Sequence, residues 1–183
     1  MRQDRTRITI VTTGGTIEKT YDEAGGALLN RSSNVPALVA TLRLPDLRIA
    51  YDHLFSKDSL HMTDEDRGRV LEAVRRHMTD SDAIMIVHGT DTLTVTGELL
   101  FRELADLRVP VVLTGAMKPL EMRDSDSIQN VTESLLACRL LPPGVYVVMH
   151  NRVLAFPGVI KDRVNLTFSL AGSKASTKSH PTP

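Results

Sequence analysis

The sequence predicts an α/β fold: a doubly wound, mostly parallel five-stranded sheet with helices on both faces. Three observations predict it. Ala83 to Val87 and Val109 to Thr114 are apolar runs without alternation, as in central strands covered on both faces. Segments with apolar residues at helical spacing separate them. The strands end in turns that carry Gly, Ser, Thr or Asp, and strands alternating with helices favour a parallel, right-handed arrangement.

The first strand is Ile8 to Thr12, a β-branched run that stops at Gly14-Gly15 and then presents Thr16. Glycines there permit positive φ or close backbone approach, and Thr16 falls at the strand's carboxyl end, where open α/β sheets hold ligands. Thr16 is either a turn residue that caps its own backbone or a hydroxyl aimed at a substrate; this stretch alone does not choose.

Glu18 to Arg31 follows, rich in Gly, Asp, Glu and Asn, and we read it as a polar surface flap containing Tyr21. Asn34, with Pro36 in the first turn, starts a short helix whose apolar face is Leu38, Val39 and Leu42. Pro45 ends it. A weaker strand runs from Leu47 to Leu54 or Phe55, followed by a loop from Ser56 to Met62. Thr63-Asp64-Glu65-Asp66 has the form of a helix start, and Val70, Leu71, Val74 and Met78 continue it as a core-facing stripe.

The strand Ala83 to Val87 ends in His88-Gly89-Thr90-Asp91-Thr92, and a helix spans Thr92 to Leu104. Asp91 also suits the amino-terminal end of that helix as a cap. Val109 to Thr114 ends in Gly115-Ala116-Met117-Lys118-Pro119. After a polar loop, a helix covers Ser127 to Leu140, and Pro142-Pro143-Gly144 leads into a fifth strand, Val145 to Met149, closed by His150-Asn151. Val153 to Leu170 carries Lys161. Residues 1–170 are read as one domain and 171–183 as a polar tail expected to be disordered. The resulting class is flavodoxin-like or Rossmann-like.

Composition narrows the function. The chain has 183 residues, 42% hydrophobic and 24% charged, enough for one globular domain with a substantial core. Lys plus Arg number 22 and Asp plus Glu number 22, so no net field favours nucleic acid or an anionic membrane. No secretory segment precedes the first strand and no apolar run reaches the ~20 residues of a membrane span, so a cytoplasmic location is expected. The sequons at Asn30, Asn130 and Asn165 are then chance matches. Cys138, the single cysteine, lies among apolar helix residues and is read as core. The histidines at 53, 61, 77, 88, 150 and 180 lack metal-ligand spacing, and His88 and His150 are read as structural hydrogen-bonding residues. Gly14-Gly15-Thr16 lacks the continuation of a phosphate-binding loop.

The polar clusters Thr13-Gly14-Gly15-Thr16, Asp58-Ser59, Gly89-Thr90-Asp91 and Thr114-Gly115-Ala116-Met117 each follow a strand and would meet on one rim. Hydroxyls beside a carboxylate suggest nucleophilic chemistry rather than redox or metal chemistry. These residues are also ordinary loop and cap formers, and any one cluster alone would be read that way.

Thr-Gly-Gly-Thr-Ile at Thr13 to Ile17 and His-Gly-Thr-Asp-Thr at His88 to Thr92 resemble the two signature segments of the bacterial-type L-asparaginase family. Val-Val-Leu-Thr-Gly-Ala-Met-Lys-Pro at Val111 to Pro119, Asp-Ser-x-x-Met-Thr at Asp58 to Thr63, and the spacing from Val153-Leu154 to Lys161 extend the resemblance over residues 7–165, the span of that family's amino-terminal domain. The resemblance implies two threonines competing for the nucleophile's role on the side-chain amide of L-asparagine, of which Thr16 is taken as the first, with Tyr21 as the flap hydroxyl. It implies a second group of Thr90, Asp91 and Lys161, in which the aspartate holds the lysine and meets the substrate's α-amino group. Asp58 and Ser59 would bind the α-carboxylate end.

The chemistry asks for the same types. A threonine hydroxyl is a weak nucleophile and needs a group to take its proton, which a lysine does only when burial or a neighbouring charge favours its neutral form; Lys161 is the candidate. Backbone N–H groups beside Gly15 and Gly89 are the expected oxyanion donors, each worth roughly 2.7–4 kcal/mol when well placed. No metal or organic cofactor is called for. The expected activity is amide hydrolysis through an acyl-threonine, weaker on glutamine. The alternative is a catalytically idle asparagine- or aspartate-binding module, or an amidotransferase-associated subunit.

The sequence departs from the family pattern at two places. Leu60 follows Ser59 where the secreted high-affinity branch has glutamine. The family also continues into a smaller carboxyl-terminal domain that lends an acidic residue to the neighbouring subunit's site. The chain is then either a short form or a fragment or degenerate copy; the tail ending in Ser179-His180-Pro181-Thr182-Pro183 reads as a natural terminus and slightly favours the short form, with a homo-oligomer, a dimer or higher, covering the exposed apolar face.

Overall fold

The structure, a computed structural model, describes residues 5–172. In chain order the elements are β1 (Thr6–Gly14), β2 (Lys19–Asp22), β3 (Ala27–Asn30), α1 (Val35–Ala40), β4 (Leu47–Lys57), α2 (Asp64–His77) and β5 (Ala83–Val87). They continue with α3 (Leu93–Glu103), β6 (Pro110–Thr114), α4 (Ser127–Leu140), β7 (Gly144–Met149), β8 (Arg152–Ala155), β9 (Val159–Asp162) and β10 (Thr167–Leu170). From residue 173 onward the polar tail lies outside the described residues, as do residues 1–4 of the amino terminus. No helix among the described residues is long and apolar enough to cross a membrane.

The main sheet runs β4-β1-β5-β6-β7-β8. Its first five strands are the five read from sequence, all paired in parallel. In chain order they lie 2-1-3-4-5, the flavodoxin-like order, whose direction reverses between β1 and β5. A sixth strand, β8, adds antiparallel to β7 across the two-residue turn His150-Asn151, where both residues adopt positive φ. It escaped the sequence reading because it is a four-residue edge strand with no buried position.

The pleat divides the core into two layers. From β5, Ile84 and Ile86 face α2 and α3 together with Val111, Leu113, Val145 and Val147. Ala83, Met85 and Val87 face the opposite side, against Val35, Leu38 and Val39 of α1 and Val131 and Leu135 of α4. Burial on both faces is why these strands read as continuous apolar runs. Each fully buried aliphatic side chain contributes roughly 1.5–3 kcal/mol relative to exposure. Cys138 is part of the second layer, and burial pushes its thiol up to about 12, so it is core and unreactive.

Helix α2 begins at the expected helix start, with a capping box, Thr63 Oγ1 accepting from Asp66 N–H and the Asp66 carboxylate accepting from Thr63 N–H at 2.9 Å. Asn34 precedes α1 but caps nothing with its side chain; its Nδ2 donates to the Ile17 carbonyl instead. The flap is more ordered than a loop. It is a hairpin of β2 and β3, Lys19 opposite Asn30, entered through one tight turn, Thr16–Glu18. Glu18 corrects the reading of this segment as surface: it is fully buried, at the end of the tight turn that precedes the hairpin.

Candidate active site

The turns that follow β1, β4 and β5 interlock. Gly15 has a φ of 82°, and a Cβ there would lie 2.4 Å from the Cα of Gly89. A Cβ on Gly89 would in turn lie 2.6 Å from the Cβ of Ser59. Glycine at these two positions lets three strand ends approach at the point where strand order reverses, which is where open α/β sheets place ligands.

This packing sets Thr16 and Thr90 on adjoining turns. Thr16 is half-buried, and among the described residues its hydroxyl makes no hydrogen bond. Thr90 is buried and its hydroxyl points toward Met117 Sδ at 3.7 Å. Lys161 reaches it from β9: Nζ donates to Thr90 Oγ1 at 2.8 Å and to Asp91 Oδ1 at 2.9 Å. The Lys161 side chain is only 12% exposed. Opposite it in the ribbon stands buried Phe168 of β10.

The structure thus brings Thr90, Asp91 and Lys161 together and sets Thr16 beside them, with no hydrogen bond joining Thr16 to the group. Asp91 does not cap α3; that position is Thr92, without a side-chain cap bond, and the Asp91 carboxylate is turned to Lys161 instead. Ser59 is buried and ties β4 to α3, its carbonyl accepting from Thr92 Oγ1 at 2.8 Å and its hydroxyl from Thr92 N–H at 3.4 Å. Asp58 accepts from Leu60 N–H and pairs with Lys19 Nζ at 2.7 Å. Burial opposes its ionisation, but those hydrogen bonds and the Lys19 charge outweigh it and hold the carboxyl below its usual range.

Tyr21 is not gathered into this group. It lies 58% exposed on β2, and its backbone N–H donates to Glu121 Oε1 at 2.7 Å. The Gly15 N–H is also committed, donating to the Lys57 carbonyl at 2.9 Å. The N–H groups beside the two glycines, those of Thr16 and Thr90, meet no acceptor among the described residues.

His88 is fully buried. Its Nδ1 lies 2.8 Å from the Gly89 carbonyl and its Nε2 2.8 Å from Thr96 Oγ1. A carbonyl requires a donor, so Nδ1 carries the proton and Nε2 accepts from Thr96. Burial, with the Arg67 charge adding to it, lowers its pKa to about 4. His150 Nε2 meets Asp126 Oδ2 at 2.8 Å, and Asp126 also accepts from the N–H groups of Met117 and Lys118. Burial opposes Asp126 ionisation, but these bonds hold its carboxyl down at about 2. This network fixes the turn after β6. Among the described residues, no group of three or more His, Cys, Asp or Glu side chains is placed to hold a metal ion.

Sequence reasoning missed two residues here. Lys19, the partner of Asp58, carries no positional signal. Arg163 donates to Asp91 Oδ1 at 3.1 Å from two residues beyond Lys161, a proximity foreshadowed only by the placement of Lys161.

Known proteins share both the sequence and the fold. The family model described as "Asparaginase, N-terminal" matches residues 7–167. An L-asparaginase of Thermococcus kodakarensis is 30% identical over 148 residues, 81% of this chain and 45% of that protein. The solved structure of the thermostable L-asparaginase from the same organism superposes with a TM-score of 0.83 at 29% identity, covering 90% of this chain and 51% of that one. A component of the glutamyl-tRNA(Gln) amidotransferase of Metallosphaera sedula is 31% identical over 148 residues, 79% of this chain and 34% of that protein. The chain therefore spans less than half the length of these two relatives.

Proposed function

The chain belongs to the asparaginase family, and from that premise we propose that it is an amidohydrolase that releases ammonia from the side-chain amide of L-asparagine. One observation carries the reading. Lys161 Nζ is held on Asp91 and Thr90 at 2.9 and 2.8 Å, while the Thr16 hydroxyl on the adjoining turn is left without a hydrogen bond.

In this reading Thr16 Oγ1 attacks the amide carbonyl carbon. Its proton passes by way of the Thr90 hydroxyl to the Lys161 amine, which Asp91 orients. The N–H groups of Thr16 and Thr90, both without an acceptor among the described residues, stabilise the developing oxyanion. The nitrogen takes the proton and leaves as ammonia. The remaining acyl-threonine ester is hydrolysed by water to aspartate and free Thr16. The water's proton goes to Lys161 and returns to the Thr16 oxygen as the ester breaks, and the route calls for no metal or organic cofactor. Glutamine places its carbonyl one methylene further along and is the poorer substrate.

The proposal includes residues 1–170 as the working domain, a cytoplasmic setting and a homo-oligomer, which light scattering of the purified chain checks. Ammonia release from asparagine, lost in both Thr16→Ala and Lys161→Ala, is the expected result. Full activity in both variants would overturn the site assignment.

A second reading has support of its own. Similarity to an amidotransferase component at 31% identity fits a binding module, or a subunit that works with an amidotransferase partner. Calorimetry separates the two: aspartate or asparagine binding without ammonia release favours the second.

A further inference from the structure

Two carboxylates on the rim of the site are ion-paired. Asp58 is matched by Lys19, but Asp91 is shared by two basic side chains, Lys161 and Arg163. Both of its bonds fall on one oxygen, Oδ1, at 2.9 and 3.1 Å. The acid next to Arg163 in sequence does not pair with it. Asp162 is turned away, accepting from the N–H groups of Val164 and Asn165 and from Asn165 Nδ2.

Arg163 is 68% exposed, and its bond to Asp91 is the one hydrogen bond it makes among the described residues. The rest of its planar fork faces solvent beside the crevice. That fork matches a carboxylate in two parallel N–H···O bonds. Because both bonds to Asp91 fall on Oδ1, its Oδ2 accepts no bond among the described residues and stays open to an ammonium, and the contact that Arg163 offers a carboxylate does not depend on one.

We propose that Arg163 is a specificity-determining residue whose guanidinium, set beside Asp91, takes a substrate carboxylate. The site then accepts primary amides that carry a carboxylate whether or not they carry an α-ammonium group. Asparagine is one member of this class, and succinamate, its deamino analogue, is the simplest. The inference rests on the amidohydrolase reading of the same site.

The test compares wild type, Arg163→Met and Arg163→Lys on asparagine, succinamate and aspartic diamide, which lacks the carboxylate. Wild type is expected to hydrolyse succinamate with a kcat/KM within about tenfold of that for asparagine. In Arg163→Met the KM for succinamate should rise about tenfold with little change in kcat, since a part-exposed charged contact is being removed. Arg163→Lys should restore part of that loss, and aspartic diamide should be insensitive to both changes. Turnover of asparagine with none of succinamate, or a KM indifferent to Arg163→Met, would overturn the proposal.

If no amide yields ammonia, the amidohydrolase reading fails by itself and a binding measurement decides the role of Arg163. Calorimetry with succinate should show binding to wild type that weakens about tenfold in Arg163→Met. No binding, or equal binding, overturns it. Because Arg163 is exposed, both variants are expected to fold.

Discussion

Gly15 and Gly89 meet backbone to backbone, so closely that a Cβ on the first would lie 2.4 Å from the Cα of the second. Gly15→Ala therefore adds a collision with backbone to the strain of an L-residue at a φ of 82°. It should cost about 3 kcal/mol or more and separate the turns that carry Thr16 and Thr90, abolishing activity. Gly26→Ala is the control: φ there is +63° but nothing lies within 4 Å, so only the conformational cost of about 1 kcal/mol remains. Urea midpoints of the two variants test this. Equal losses would mean that the close approach contributes nothing.

The two threonines should respond differently to removal. The Thr16 hydroxyl makes no hydrogen bond among the described residues, so Thr16→Ala should leave stability within about 0.5 kcal/mol while activity falls by about a thousandfold or more. The Thr90 hydroxyl is held by Lys161 at 2.8 Å, and Thr90→Ala should cost about 1–3 kcal/mol because a mostly buried amine loses a partner. Quenching wild type during turnover and mapping the ester by peptide mass spectrometry assigns the order. An ester on Thr16 is expected, and one on Thr90 would reverse the assignment.

These expectations draw unequally on the sequence. The five parallel strands were legible because strands such as β5 are buried on both faces, and the resulting apolar runs admit few other readings. The rim was legible as a set, since four polar clusters follow four strands. What escaped depended on contacts distant in sequence or on short elements. Lys161 meets Asp91 across 70 residues, and its β9–β10 ribbon consists of four-residue strands whose pattern is too brief to declare itself. Resemblance, not periodicity, singled it out. Glu18 was misread for the opposite reason: a charged residue in a polar stretch is ordinarily exposed, and one tight turn is enough to bury it.

His88 should make stability fall on the acid side. Its folded pKa is lowered from 6.5 to about 4, so the unfolded chain binds a proton first as pH drops. Its contribution is fully present above pH 6.5 and lost as pH falls toward 4, on the order of 3 kcal/mol in all. In His88→Gln that contribution should be absent, so the urea-unfolding profile across that window should depart from wild type by a slope of this size. Thr96→Val should cost about 1–3 kcal/mol by leaving Nε2 without its donor. A pH dependence identical in wild type and His88→Gln would show that the histidine is not the titrating group.

Glu18 should act in the opposite direction and mask that slope. Both of its carboxylate oxygens are buried, and among the described residues neither meets a donor in good hydrogen-bond geometry. Burial raises its pKa from 4.5 to about 7, against weaker support for the anion from Ser33 and the Gly14 backbone. Here the unfolded chain loses its proton first, so stability is fully present below pH 4.5 and lost as pH rises through 7, again on the order of 3 kcal/mol. Between pH 4.5 and 6.5 the losses from Glu18 offset the gains from His88, and wild-type stability should be nearly flat. Glu18→Gln keeps the shape and removes the charge. It should match wild type near pH 4, exceed it by about 3 kcal/mol above pH 7, and expose the rising His88 slope between. Unfolding midpoints at pH 4, 5.5 and 8 distinguish this from a Glu18 already matched in the folded protein, for which the substitution would gain nothing at high pH.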